Sequence, residues 1–456
     1  MGVAVDDHGC FPFRAARSWQ RGAQSAILNI ITLARATNLW KRGNRVGNIV
    51  AEGARNIAFV GHTDQNGRGD GVQVMVHNGY AYVGTRVSRG VNVTDVRDPR
   101  HPKPVNFLPI HKSSWCMHLQ TAENLMLVIE ELDMKALMTA QQYYGGSMDQ
   151  VDSARFGVRG QDFSAGMRVY DISDPANPRA IGFMEVQGLG LHRIWWTGGR
   201  YAYASALLDG FTDHILIIID LHDPTHPQEV GRWWIPGMHA AGGEKPAWKN
   251  RVALHHAVVA GDIAYGSWRD GGLTLIDVKD KANPKLIAHR NWSPPFGGGT
   301  HSALPLPDRD LLVVADEATL NIDREQLKRV WMIDIRAPHN PVTIATLPTP
   351  ADQDYVAKGG QFGPHNLHEN RPGSFQSSTT IFATWQSAGV RVFDITDPYR
   401  PEETGYFVPP MPTHWMEPMR GRAKMRHTAD LFVSAEGLIY VTDYDSGLYI
   451  LEWKGA

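Results

Sequence analysis

The sequence predicts an all-β chain of repeated four-stranded antiparallel sheets. Three observations carry this: a strand-and-turn phrase that recurs at long intervals, a second strand pair ahead of each copy, and histidines at matching places. Self-similarity at a fixed period decides architecture before any local reading does.

The phrase is clearest as "GVRVFDITDPYRPEETG" at residues 389–405. It recurs from Gly90 ("GVNVTDVRDPRHPKPV"), Gly166 ("GMRVYDISDPANPRAIG") and Ile215 ("ILIIIDLHDPTHPQEVG"). Further copies begin at Gly272 ("GLTLIDVKDKANPKLIA") and Val330 ("VWMIDIRAPHNPVTIA"). Each strand ends on an aspartate: Asp95, Asp171, Asp220, Asp277, Asp334 and Asp394. Three residues later stands Asp98, Asp174, Asp223, Asp280, Ala337 or Asp397, so one copy lacks the second acid. A proline follows in every copy: Pro102, Pro178, Pro227, Pro284, Pro341 and Pro401. Aspartate at a strand end accepts hydrogen bonds from turn amides, and the second proline suits the start of an outer edge strand.

Ahead of each copy lies another strand pair, such as "HRIWWTGGRYAYAS" at 192–205 and "HHAVVAGDIAYGSW" at 255–268. Four short strands per repeat read as propeller blades. With a weaker seventh copy from Gly447 ("GLYILEWKG"), the expected fold is a seven-bladed β-propeller over residues 55–456. The last copy has no outer strand of its own. "RNIAFVGH" at 55–62, which matches "RAIGFMEV" at 179–186, is expected to supply it and close the ring.

Residues 1–54 form an N-terminal extension. Trp19, Ala23, Ile27, Ile30 and Ala34 share one helical face, which predicts an amphipathic helix packed on the propeller or on a second copy in a homo-oligomer. Asn29 and Thr32 interrupt the apolar stretch and acids precede it, so a cytoplasmic protein is expected, with export the weaker alternative. A net charge of −2 with no basic stripe argues against nucleic acid. No apolar run reaches the roughly 20 residues of a membrane span. Two cysteines, Cys10 and Cys116, make no disulfide framework.

These repeats resemble the LVIVD-repeat proteins, named for the strand written here "ILIIID" or "LTLID". The resemblance runs over about residues 57–455 and implies a seven-bladed propeller without a catalytic assignment. As architecture, the chain is also similar to the methanethiol oxidase (selenium-binding) and carotenoid-oxygenase propellers, which hold histidine-bound metals on their axis.

The histidines suggest chemistry. His118, His192, His255 with His256, His301, His365 and His427 precede the first strands of six repeats. The first repeat has Gly71 beside Asp70 instead, with His62 and Asp64 upstream. First strands line a propeller's channel, so these side chains are expected to converge and hold a divalent transition metal: zinc, manganese or iron, with copper also suited to imidazole. Ends of second strands return to the same face. Glu130 and Glu317 are the expected proton-handling or orienting acids, and Arg269 the expected anion or oxyanion partner. Trp115, Trp268, Trp385 and Tyr444 are expected to wall a substrate pocket beneath the long loops of that face. The expected activity is metal-dependent cleavage of a small, aromatic or partly apolar molecule, as a lyase or hydrolase. An iron or copper oxygenase or oxidase is the second expectation. A non-catalytic interaction scaffold with structural histidines is the third.

Overall fold

Each copy of the recurrent phrase builds a third strand, its Asp-Pro turn and an outer fourth strand. In the computed structural model, which describes residues 49–134, 162–416 and 422–455, all strand pairing is antiparallel. Gly71–His77, Tyr80–Thr85, Gly90–Asp95 and Lys103–Pro109 form one four-stranded sheet in chain order. Gly188–Trp195, Tyr201–Leu208, Ile215–Asp220 and Gln228–Trp233 repeat this order. So do Val252–Ala260, Ile263–Arg269, Leu273–Asp277 and Lys285–Arg290. Helix among the described residues is confined to short turns such as Tyr355–Lys358. The amphipathic helix expected in the extension lies outside the described residues, as does the 135–161 stretch of the first long loop. No helix among the described residues is long and apolar enough to cross a membrane.

Burial grades from first strand to fourth. Thr300–Leu306, a first strand, is buried along its whole length, whereas the outer Lys103–Pro109 alternates between half-buried and exposed. The third strand Ile215–Asp220 is apolar without alternation because neighbouring sheets cover both of its faces. First strands of successive repeats touch. Gly71–His77 contacts Leu119–Ala122, that strand contacts Gly188–Trp195, and the series continues through Val252–Ala260 to Thr300–Leu306. Thr428–Val433 contacts both Thr380–Thr384 and Gly71–His77.

The turn chemistry holds copy by copy. Asp95, Asp171, Asp220, Asp277, Asp334 and Asp394 each accept a hydrogen bond from the amide two residues on, at 2.7–3.1 Å. The second acid does the same where it exists: Asp98, Asp174, Asp223, Asp280 and Asp397 accept at 2.9–3.2 Å.

These turns also fix the packing between sheets. A Cβ added at Gly182 would lie 2.5 Å from the Pro224 carbonyl oxygen, and one at Gly231 would lie 1.8 Å from that of Lys281. The outer strand therefore lets the next repeat's turn approach its backbone. Ile57–Thr63 pairs with Gly447–Trp453, and Gly61 there meets the Pro99 carbonyl at 2.1 Å by the same measure. The N-terminal strand thus takes the outer position of the last sheet. Its register is three residues from the one read in the sequence, because Gly61, not Ala58, is the counterpart of Gly182. Gly53–Arg55 adds a further strand on the edge of Glu402–Val408.

Candidate metal centre

First strands start with their polar side chains on one face, and the chain of contacts between those strands carries the histidines together. His118, His192, His255, His301, His365 and His427 are all buried. Ring centres are 5.2 Å apart for His118 and His192, 5.1 Å for His192 and His255, and 3.6 Å for His255 and His301. His301 and His365 follow at 4.7 Å, then His365 and His427 at 5.8 Å. Residues spread over more than 300 positions therefore form one continuous imidazole arc.

Hydrogen bonds assign several ring nitrogens. His192 Nδ1 donates to Glu131 Oε2 at 3.0 Å, and His255 Nδ1 donates to the His301 carbonyl at 2.7 Å. Each keeps Nε2 as a donor of an electron pair, the arrangement in which an outer partner orients a ligand imidazole. His118 Nδ1 accepts from Arg193 Nη1 at 2.7 Å. Burial, reinforced by Arg193, Arg269 and the neighbouring rings, holds His118, His255 and His301 well below the usual imidazole range. Burial lowers His192 and His365 to about 4, against the opposing pull of Glu131 and Glu317. These five rings are neutral at neutral pH and so are suited to a cation.

Two carboxylates meet it. Glu317 Oε2 lies 3.4 Å from His301 Nε2 and Oε1 lies 3.5 Å from His365 Nε2, while Arg269 Nη1 pairs with Oε2. Both expected residues, Glu317 and Arg269, are therefore at the histidines. Glu130 is not. It is fully buried against Arg168 Nε at 2.5 Å on the neighbouring strand, and the next residue, Glu131, occupies the histidine face instead. Successive strand residues point to opposite faces, so a one-residue misassignment exchanges the two acids.

Glu131 is the hub of a buried relay not anticipated in the sequence. It accepts from Trp115 Nε1 at 2.7 Å and from His214 Nε2 at 2.6 Å. His214 Nδ1 donates to Asp213 at 2.7 Å, and Arg251 Nε reaches Asp213 at 2.9 Å. Burial alone would lower His214, but Glu131 and Asp213 together raise it to about 9, so this imidazole carries its proton. The pair "DH" stands just before a third strand, where a search confined to first strands does not look.

Below the arc runs a column of buried polar side chains. Arg193 Nη2 lies 3.1 Å from Glu369 Oε1, Gln120 Nε2 donates to Glu369 Oε2 at 3.1 Å, and Arg371 reaches Glu369 at 3.7 Å. His256 belongs to this column. Its Nε2 lies 3.9 Å from Glu369 Oε1, and its ring packs 6.1 Å from Trp195, turned from the arc by its place next to His255. His427 stacks on Tyr444 at 3.9 Å, at the end of the arc.

The four aromatic residues separate. Trp115 braces Glu131 and Tyr444 backs His427, so both adjoin the arc. Trp268 donates to Thr274 Oγ1 and packs on Trp233. Trp385 is buried among apolar residues near Phe393. These two are packing residues of the sheets rather than pocket walls. In the first repeat, Asp70 accepts from the amides of Arg86, Val87 and Ser88, and His62 bonds the Ser446 carbonyl at 2.6 Å, so neither side chain joins the arc. Cavities of about 460 and 700 Å³ lie elsewhere, the larger lined by His62, Asp64 and His414.

Comparison with known families matches the LVIVD repeat at residues 196–234 and 256–290. No curated protein matches the chain. Among solved structures, the β-propeller domain of Cps50 (Swd1) from Myceliophteria thermophila aligns with 85% of this chain and 97% of its own. The TM-score is 0.51 at 10% identity. A Bacteroides uniformis protein, provisionally named a 6-phosphogluconolactonase, aligns with 73% of this chain and 83% of its own, at TM-score 0.50 and 11% identity. At such identities the likeness shows fold alone. The chain carries LVIVD repeats, and its fold is that of a β-propeller.

Proposed function

We propose that this LVIVD-repeat propeller has seven blades and works as a metal-dependent enzyme, cleaving a small, aromatic or partly apolar organic molecule by elimination or hydrolysis. The observation that carries the reading is the meeting of five neutral, buried imidazoles, from His118 to His365, with Glu317 and Arg269. Burying so many unprotonated rings with free nitrogens is costly unless a bound partner takes them up. Neutral imidazole with one carboxylate suits zinc, manganese or iron.

A bound divalent ion would supply Lewis acidity toward a substrate oxygen or acidify bound water. The chain's own residues supply the rest. His192, His255, His301 and His365 would offer the ligand atoms, with His118 joining if Arg193 released its Nδ1. Glu317 accepts or returns a proton at Oε1. Arg269 neutralises negative charge that develops on the substrate. Glu131 fixes the tautomer of His192, and the protonated His214 holds Glu131 ionised.

A second reading, an iron-dependent oxygenase, is favoured by one observation: His301, His365 and Glu317 make a two-imidazole, one-carboxylate set.

The test is elemental analysis of the purified full-length protein beside the His301→Ala/His365→Ala variant. Stoichiometric transition metal, lost in the folded variant, is the expected result. Folded wild-type protein that binds no metal would instead favour an interaction scaffold. Dependence of turnover on oxygen separates cleavage from oxygenation.

A further inference from the structure

We infer that the arc holds two cations side by side rather than one. This deepens the metal-centre reading above and rests on it. Three sets of side chains among the described residues offer ligand atoms within 4.8 Å of one another: His118, His192 and His255; His301, Glu317 and His365; and Glu131, His192 and His214, which shares His192 with the first and is already closed by hydrogen bonds to the protonated His214. The first two sets are disjoint, and all six of their residues are buried.

The stacking of His255 on His301 divides these two sets. Their rings lie nearly parallel, 23° apart, with centres separated by 3.6 Å. Ligands of one ion point their lone pairs at a common point. Rings stacked face to face send theirs side by side. His255 therefore serves the first set and His301 the second.

Each set has the dimensions of a coordination shell. Nitrogen and oxygen ligands about 2.1 Å from a tetrahedral ion lie about 3.4 Å from each other. His301 Nε2 and His365 Nε2 approach the two oxygens of Glu317 at 3.4 and 3.5 Å, too far for good hydrogen bonds and suited to a shared ion. In this set His301 Nδ1 is buried without a hydrogen-bond partner among the described residues, so nothing there ties that ring to another tautomer. Three imidazoles on one ion place their ring centres about 5 Å apart by the same geometry. The first set shows 5.2, 5.1 and 6.0 Å.

The donor sets differ in charge. The second contains a carboxylate, paired through Oε2 with Arg269, whereas the first has none and gains His118 as a ligand only when the Arg193 guanidinium leaves its Nδ1. The second position therefore fills first, and the first fills more weakly.

Full-length protein stripped with chelator and titrated with Co²⁺ tests this, read by equilibrium dialysis with elemental analysis and by visible absorption. Two equivalents per chain are expected, in two resolvable phases. His301→Ala/His365→Ala should lose the tighter phase and His192→Ala/His255→Ala the weaker, each retaining one equivalent. One equivalent in the wild type, abolished by both double variants, overturns the two-cation inference and leaves a single metal centre standing. No Co²⁺ bound by folded wild-type protein overturns both. If a double variant fails to fold, Glu317→Gln serves: a loss of affinity of at least tenfold confined to the tighter phase is expected, and equal weakening of both phases would count against two positions.

Discussion

At the residue scale, Glu130 and Glu131 show how neighbouring identical side chains take unrelated tasks. Glu130 neutralises Arg168 within its sheet, and Glu131 organises His192, His214 and Trp115. Glu131→Gln is therefore expected to weaken metal binding about 10–100-fold, since outer-partner changes act on affinity, and to lower the thermal midpoint as well, since its buried bonds to His214, His192 and Trp115 are lost. Glu130→Gln should cost about 1–3 kcal/mol of stability, because a buried charge-assisted bond is lost, but leave metal affinity intact. Calorimetric titration and thermal melts of both variants check the pair. A pH dependence also follows. The folded pKa of His192 and His365 is about 4, below that of unfolded histidine, and His118, His255, His256 and His301 are shifted the same way. Their contribution is complete above about pH 6.5 and is lost as pH falls toward 4. His62, His77 and His368 are lowered by burial too. Asp316, Glu325 and Asp430, raised to about 7 by burial, Asp443, raised to about 6, and Asp270 and Glu403, also raised, act in the opposite sense, since their contribution is lost as pH rises through those values. The imidazoles outnumber these acids, so the melting temperature of the metal-free protein should drop by several degrees between pH 6.5 and 5. A midpoint that stays flat or rises over that range would contradict the burial of neutral rings.

At the element scale, the repeated turn is a pair of aspartate-to-amide bonds followed by a proline. Five copies carry both bonds, and the copy at Asp334 carries only the first because Ala337 replaces the second acid. The backbone turn is still made there, with the Asn340 amide donating to the Ala337 carbonyl at 2.8 Å. Ala337→Asp should therefore restore the missing bond without rearrangement and stabilise the protein by about 0.5–1 kcal/mol. Denaturant unfolding of the variant checks this, and a neutral or lower midpoint would show that the turn gains nothing from the acid. This part of the fold was fully legible in the sequence, because the atoms that make the turn are two or three residues apart and need no tertiary partner.

At the scale of the whole molecule, the pairing of Ile57–Thr63 with Gly447–Trp453 joins the two ends of the described chain. Gly61 makes the same close approach to a following turn as Gly182 and Gly231, so this seam is built like the joints between other sheets. A chain beginning at residue 64 leaves the edge of Gly447–Trp453 unpaired, and unpaired edges recruit other chains. Such a truncation is expected to unfold at lower temperature and to elute as aggregate in size-exclusion chromatography. A monodisperse truncated protein with an unchanged melt would show that the seam is dispensable.

The sequence by itself determined the strands, the Asp-Pro turns, the repeat and the fact that histidines mark its first strands. Each depends on contacts within a few residues or on a pattern of period two. Tertiary structure alone decided which acid of a pair faces the arc, that His256 and Trp268 turn away, and that His214, Asp213 and Arg193 join it. Those outcomes depend on how neighbouring sheets twist and nest around an axis. A local pattern sets which residues lie at the end of a strand, but only packing sets which side chains end within reach of one another.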